Sequence, residues 1–511
     1  MNNHWLILPV AIPAMTAAML VLAQAYGLTI QRALSVGATA IQLATAIGLY
    51  MLAGDGEPRV YLLGNWPAPF GIVLVLDRLA ATMLLLTGVL AIGVVLASLG
   101  DWDRKGRHFH ALLQFQLMGI NGAFLTGDLF NLFVFFEVLL IASYGLMLHG
   151  SGPRRLRAGF HYISINLIGS TVFLFAVGTI YAVTGTLNMA DLAVKVPQVA
   201  AGNEALLSAG ALLLFTVFAI KSAMVPFHWW LPPTYGTTSP AAAAVFAIMT
   251  KVGAYSIIRV YTLIFGADAG PLAGIVTPWI LPAAIVTLVL GTIGVLASRG
   301  LRDLACYSLI ASMGTVLIAL GLFTAESLAA ALYYAVQSTL TSAALFLLAG
   351  LLVNDADGRS PSPATAGPLS HGTLFAGLYF LLAIAMVGMP PLAGFIGKLL
   401  ILDAARTGPH IVAVWSAILI TGLLLTIGFA RAGIDTFWRK PQAGARIAAT
   451  RTAPILPTAV VAAMIAVLAA LSLLAGPIMD DMTATANQLL QPQTYIRAVL
   501  ESRPSAAFVG E

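Results

Sequence analysis

Three of the chain's six lysines, Lys221, Lys251 and Lys398, fall inside long apolar runs rather than at their ends. Glu137 is the one carboxylate set as deep, ninth of the twenty residues of the run 129–148, between Phe135, Phe136, Val138 and Leu139. An ionisable group at mid-bilayer costs about 2.5–3.5 kcal/mol on insertion scales, so these four incur on the order of 10 kcal/mol unless they find partners or water. Lys and Glu are the residue types that can use such a place. An ammonium gives up its proton when desolvated, whereas a guanidinium stays charged. A buried carboxyl takes a proton up and releases it beside a cation. A Glu137–Lys221 pair in direct or one-water contact is therefore a switchable relay. The alternative, a static ion pair that fixes helix register, leaves the lysines without a carboxylate unexplained.

Two apolar runs are broken close to these lysines. Lys221 precedes Pro226, after which the run dissolves into PFHWWLPPTYGTTSP, and VGMPPLAGFIGK, ending at Lys398, interrupts another. Pro removes a backbone donor and clashes with the preceding turn. Interrupted helices at matching places in two halves point to an inverted repeat with an ion path at the breaks. His228 follows the first break directly, where unwound backbone can line a wet cavity, and is a further candidate for the proton path. His4, His108, His110, His149 and His410 sit near interfaces or loops. Asp77, Asp128 and Asp303 fall at helix ends and read as caps.

The elements that hold these residues must span a membrane. Only 9% of the 511 residues are charged and 59% are hydrophobic, where a soluble domain carries about 25% charge. Each spanning helix needs roughly 20 apolar residues. Spans are expected near 5–26, 33–53, 72–98, 110–126, 129–148, 160–183, 206–226, 240–265, 273–297, 303–322, 326–352, 373–404, 410–437 and 454–477, fourteen in all and without strands. Seventh and twelfth are the broken ones. The chain divides into three N-terminal helices (1–105), a first repeat of helices 4–8 (106–268), a second of helices 9–13 (269–440), and helix 14 with a C-terminal tail (441–511).

Loops after odd-numbered spans hold fourteen Lys or Arg (Arg32; Arg104, Lys105, Arg107; Arg154, Arg155, Arg157; Arg299, Arg302; Arg359; Arg439, Lys440, Arg446, Arg451), against five on the other side. By the positive-inside rule both termini face out, to the periplasmic side of a bacterial cell membrane. One Cys, Cys306, excludes a disulfide framework and a four-Cys cluster. No His, Asp or Glu cluster has metal-ligand spacing, and there is no P-loop or GxGxxG after a strand. No metal or cofactor is expected, nor a nucleic-acid partner, so the driving force must be an ion gradient or a partner protein.

Four segments, GDLFNLFVFFEVLLIASYGL, AIKSAMVPFHWWLPPTY, FAIMTKVGAYSIIRV and MPPLAGFIGKLLIL, resemble in residues and in order the antiporter-like subunits shared by complex I and Mrp-type cation/proton antiporters. YLLGNWPAPFGIVLVLDRLAA and TGTLNMADLA look most like the D-type subunits. The resemblance implies fourteen helices with two inverted five-helix repeats, and a place among other membrane subunits in the lipid bilayer. It implies that Glu137 and Lys221 form the first pair, that Lys251 is the central lysine and that Lys398 ends the path. The implied function is translocation of H⁺ in exchange for Na⁺ or K⁺, by a transporter subunit rather than an enzyme. The alternative is a proton-pumping subunit of a complex I-like NADH dehydrogenase or membrane-bound hydrogenase. A lone organic-solute transporter would need polar specificity groups at midplane, where mainly protonatable ones stand. Many relatives carry His and Lys where the eleventh span, LYYAVQSTLTSAALFL, has Ser338 and Ser342, and His where Ser312 stands. Hydroxyls hold water but store no proton near neutral pH. A path from Lys251 to Lys398 therefore depends on water held by Gln337, Ser338, Thr339 and Ser342.

Overall fold

The structure, a computed structural model, describes residues 4–100, 102–352, 372–438 and 454–504. The expected charges of the loops after spans 11 and 13, Arg359, Arg439, Lys440, Arg446 and Arg451, lie outside the described residues.

Among the described residues, nineteen helices follow in the order α1 Leu8–Leu22, α2 Leu28–Ala53, α3 Arg78–Ser98, α4 Phe109–Leu125, α5 Leu129–Leu148, α6 Pro153–Thr184, α7 Met189–Lys195, α8 Glu204–Lys221, α9 Leu231–Tyr235, α10 Pro240–Leu263, α11 Thr277–Ala297, α12 Leu301–Gly321, α13 Ala325–Leu352, α14 Gly372–Val387, α15 Ala393–Ala404, α16 Ile411–Phe437, α17 Ile455–Leu473, α18 Ala475–Leu490 and α19 Gln493–Leu500. Twelve of the described helices are long and apolar enough to cross a membrane. The two remaining expected spans are α4, of 17 residues, and the interrupted pair α14 and α15, of 16 and 12.

Three helix starts follow from the residue just before them. Asp77 accepts from Ala80 N at 2.9 Å, Asp128 from Asn131 N at 2.8 Å, and Ser239 from Ala242 N at 3.2 Å, with Pro240 in the first turn of α10. Each satisfies a donor that the first helical turn leaves unpaired. α6 begins seven residues earlier than its expected span, because Pro153 pre-sets the first turn after Gly152 at φ +116°. Its first turn therefore carries Arg154 and Arg155.

Residues 72–76, expected to open the third helix, are not helical. Val73–Leu76 is a strand, β2, paired antiparallel with β1, Arg59–Leu62. The run VLVL is β-branched at alternate positions, which suits a strand, and the Asp77 cap then begins α3. The expected C-terminal tail is likewise ordered: α18 packs along α13, and α19 packs on α7. Arg78 donates to Asp481 at 2.6 Å and Tyr50 OH to the same carboxylate at 2.8 Å, tying α18 to the N-terminal helices.

At the centre stands α10, all 24 of whose residues are buried. It packs against α8, α3, α12 and α13, and α13 in turn packs against α15. Apolar side chains face outward elsewhere, including Ile141, Leu167, Phe175 and Leu423, each more than 60% exposed. That surface suits lipid or a neighbouring subunit. Loops after the third, fifth, seventh and ninth spans gather around one cavity, while those after the sixth and eighth meet Leu490 and Gln493 around another. The chain thus alternates between two ends, as the loop-charge count requires. On the first end Asp103 accepts from Arg32 Nε at 2.5 Å and lies 3.4 Å from His110 Nε2. Burial alone would raise this carboxyl, but the hydrogen bonds from His110 and Arg32 outweigh it and hold it down to about 2.

Candidate functional site

Both expected breaks are present, and at each a side chain donates to a backbone carbonyl. α8 ends at Lys221; Ala223 is left-handed at φ +53°, and Pro226 follows. The Ile220 carbonyl accepts from Trp230 Nε1 at 3.1 Å, and Val225 N donates to Thr287 Oγ1 at 2.9 Å. At the second break, Gly388 lies at φ +83° between α14 and α15. There the Val387 carbonyl accepts from Lys398 Nζ at 2.7 Å. A methyl at Gly388 would come within 2.8 Å of the Lys398 stem, so the glycine lets the ammonium lie in the break. The buried Lys398 lines a cavity of about 240 Å³ that also touches Leu402 and Thr426.

Glu137 and Lys221 make no direct ion pair, so of the expected direct or one-water contact the direct form is not seen. Helix α6 inserts two neutral polar residues one turn apart. Ser170 Oγ donates to Glu137 Oε1. Lys221 Nζ donates to Asn166 Oδ1 at 2.9 Å. Asn166 Nδ2 is anchored on the Tyr162 carbonyl at 2.8 Å, which turns the amide oxygen toward the lysine. Lys221 also lies 5.8 Å from the Phe136 ring centroid. Sequence reading missed Asn166 and Ser170. Their signal was a four-residue spacing of polar groups inside an apolar helix.

Lys251 is 1% exposed, and its Nζ has no hydrogen-bond partner among the described residues. Its helix lies directly on the first break, since a methyl at Gly253 would fall within 2.8 Å of Ser222 N. Further orphaned polar atoms stand at the break, Ser222 Oγ, and on α13, which packs against α10, Gln337 Nε2 and Ser342 Oγ. Ser338 Oγ donates only to its own helix, to Ala335 O at 3.3 Å, and Thr339 does the same at 2.7 Å. Ser312 Oγ donates to Leu309 O at 2.8 Å. Buried polar atoms are nearly always paired with protein or ordered water, so this string marks positions for water. His228 lies on the turn Phe227–Trp230 with its Nδ1 also unpartnered, and among the described residues no hydrogen bond or ion pair joins it to the lysines.

A second group went unread. Tyr255 and Arg259 follow Lys251 at four-residue steps, and so continue its face of α10. Arg259 donates to both carboxylate oxygens of Asp77, at 2.6 and 2.8 Å, with the pair 4% and 2% exposed. Asp77 is therefore a cap and an ion-pair partner at once. Removing one member of a buried pair leaves the other charge uncompensated, at about 3–5 kcal/mol. Asp77→Asn should accordingly lower the melting temperature of the solubilised protein markedly. An unchanged melting curve would show that the pair is not what holds this end of α10.

Comparison with known proteins shows the family to which the chain belongs. Residues 126–425 match the NADH:quinone oxidoreductase/Mrp antiporter transmembrane family. The chain is 41% identical to the D-type subunit of a probable K(+)/H(+) antiporter from Rhizobium meliloti, covering 98% of each chain. It is 34% identical to the D-type subunit of the Na(+)/H(+) antiporter of Bacillus subtilis, over 98% of this chain and 100% of that one. Its structure is similar to a chain of the Mrp complex of a Dietzia species, with a TM-score of 0.87 at 28% identity, covering 98% and 100%. A chain of respiratory complex I from Thermus thermophilus shares the fold, with a TM-score of 0.77 at 23% identity and coverage of 96% and 99%. The matched segment contains Glu137, Lys221, Lys251 and Lys398, and on this similarity the chain belongs to the NADH:quinone oxidoreductase/Mrp antiporter membrane family.

Proposed function

We propose that this chain is the proton-translocating subunit of a multisubunit antiporter that exchanges H⁺ for Na⁺ or K⁺, working beside other membrane subunits. The observation that carries the reading is the row of protonatable and orphaned polar side chains along α5, α6, α8, α10, α13 and α15. In that row Glu137, held by Ser170, and Lys221, held by Asn166, form the first pair, Lys251 is the central carrier, and Lys398 is the terminal one at the second break. Gln337, Ser338 and Ser342 hold the water between the last two. His228 serves the first break. The two breaks belong to two inverted repeats, residues 106–268 and 269–440. Relatives named as antiporter subunits match nearly the whole chain at 34% identity or more, against 23% for the chain of respiratory complex I, which favours this reading over an oxidoreductase subunit.

Everted vesicles bearing the whole complex should dissipate an imposed pH gradient when Na⁺ or K⁺ is added, and vesicles whose complex lacks this chain should not. Exchange surviving its deletion would overturn the proposal. Ser338→Val with Ser342→Val removes two water-holding hydroxyls from α13 and should slow exchange roughly tenfold, the effect of about 1.4 kcal/mol added to a barrier. An assembled double variant with parental rates would sink the route through α13.

Both termini are taken to face the periplasm. Cys at Gly152 should then react only with reagents that enter the cytoplasm, and Cys at Asn203 or Gln493 with impermeant ones, in a Cys306→Ser background. The reverse pattern would invert the topology.

A further inference from the structure

From Lys251 to its last residue, Leu263, α10 continues for about 18 Å at 1.5 Å per residue. Five side chains on that stretch are polar: Tyr255, Ser256, Arg259, Tyr261 and Thr262. All five are buried, and each is paired with protein atoms. Ser256 Oγ donates to Val252 O at 2.9 Å, Tyr261 OH to Ala211 O at 2.7 Å and Thr262 Oγ1 to Ile258 O at 2.8 Å.

Tyr255 is saturated. A hydroxyl has one proton to donate and two lone pairs with which to accept. The Tyr255 proton goes to the Phe124 carbonyl at 2.5 Å, and Arg259 Nε and Nη2 donate to its oxygen, each at 3.3 Å. Arg259 is held in turn by both oxygens of Asp77, one of which also caps Ala80 N. Tyr495 of α19, 4% exposed, lies over this pair with its ring centroid 5.2 Å from Arg259 Cζ. A methyl at Gly127 would come within 3.0 Å of Tyr495 OH, so the ring also abuts the turn between α4 and α5.

Among the described residues Tyr495 OH is the one atom of this cluster without a hydrogen-bond partner. One hydroxyl gives water a single anchor, where a buried water needs several. Elsewhere around α10 the pattern reverses, since Ser222 Oγ at the first break and Gln337 Nε2 and Ser342 Oγ on α13 are all left unpaired. A proton needs water or a group that takes it up and gives it back. Tyr255 has no free lone pair, and a guanidinium keeps its protons. An arginine beside a narrow path also raises an electrostatic barrier to protons.

We infer that the Tyr255–Arg259–Asp77 cluster, with Tyr495 laid over it, is a proton seal that closes Lys251 off from the Arg259 end of α10, the outer end in the topology proposed above. Protons then reach and leave Lys251 sideways, along the row. The inference rests on Lys251 carrying a proton.

Passive leak tests it without any exchange. The assembled complex is reconstituted in vesicles in choline buffer free of Na⁺ and K⁺, with a lipophilic cation to balance charge, and an internal pH dye follows an imposed pH step. Asp77→Asn with Arg259→Gln removes both charges together, so neither is left buried and unpaired. Tyr495→Ala removes only the cover, and decides alone if the paired variant does not assemble. Each should speed collapse of the gradient on the order of tenfold, as about 1.4 kcal/mol taken off a barrier would, while Tyr495→Phe, which keeps the ring, stays as tight as the parent. Adding Lys251→Met to a leaky variant should restore the parental rate, because the leak passes through that lysine. Parental tightness in the assembled variants would overturn the seal, and so would a leak that Lys251→Met leaves unchanged. Because no cation is exchanged in this assay, the seal can fail here while Lys251→Met still abolishes exchange, so the two claims are read apart.

Discussion

Replacing Lys251 with Met is expected to abolish cation/proton exchange while leaving the solubilised complex as heat-resistant as the parent, or more so. The two halves of that result come from one observation. Lys251 Nζ is buried in the most enclosed helix of the bundle with no hydrogen-bond partner, so the side chain opposes folding. An apolar group of similar length removes an uncompensated polar burial, which is neutral or stabilising. A residue kept against that cost is kept for what it does. Lys251→Arg sharpens the test, since guanidinium preserves the charge but does not release its proton. Arg should fail as Met does if Lys251 carries protons, and should support exchange if a fixed positive charge is all that is needed. Exchange in everted vesicles and a melting curve of the purified complex read the two outcomes separately. Parental exchange in the Met variant would remove Lys251 from the path.

Glu137→Gln should be as damaging to exchange, and for a cleaner reason. The amide oxygen of Gln can still accept from Ser170, so the contact between α5 and α6 survives. Only the ability to change charge is lost. Assembly should therefore be unaffected and exchange should fall to the level of vesicles lacking the complex, while Glu137→Asp retains part of it. Asn166→Leu tests the other half of the bridge, because it strips Lys221 of its one hydrogen-bond partner; exchange should drop although both charged residues remain. A fully active Glu137→Gln complex would show that the carboxylate only anchors Ser170.

The spans and both breaks were legible because apolar length and Pro-Gly interruptions are local properties of the chain. The lysines and Glu137 stood out because charge is rare in such runs. What sequence could not give was partnership. Asp77 and Arg259 are 182 residues apart, and nothing near either one names the other. Asn166 and Ser170 are ordinary among the many hydroxyl and amide residues of membrane helices, so their role between Glu137 and Lys221 emerges only when α6 lies between α5 and α8. The strand Val73–Leu76 was hidden because its apolar residues merge with those of α3. Residues 475–500 contain too many polar groups to be read as a span, and their amphipathic helices become visible only against the flanks of α13 and α7.

The complete enclosure of α10 also sets a schedule for making the protein. This helix touches no lipid once the molecule is finished, yet it must enter the membrane carrying Lys251 and Arg259 before α13, α18 and α19 have been synthesised. Asp77 precedes it in the chain, so Arg259 meets a waiting counter-charge on α3 as it arrives. Tyr495, whose ring centroid lies 5.2 Å from the Arg259 guanidinium, closes over the same end only when the last helices emerge. The Arg259 end of α10 is thus open throughout synthesis and covered at its close. A ribosome that stops short of α18 releases a chain whose most polar interior seam is still exposed, which gives membrane quality control a direct means of telling a partial product from a finished one.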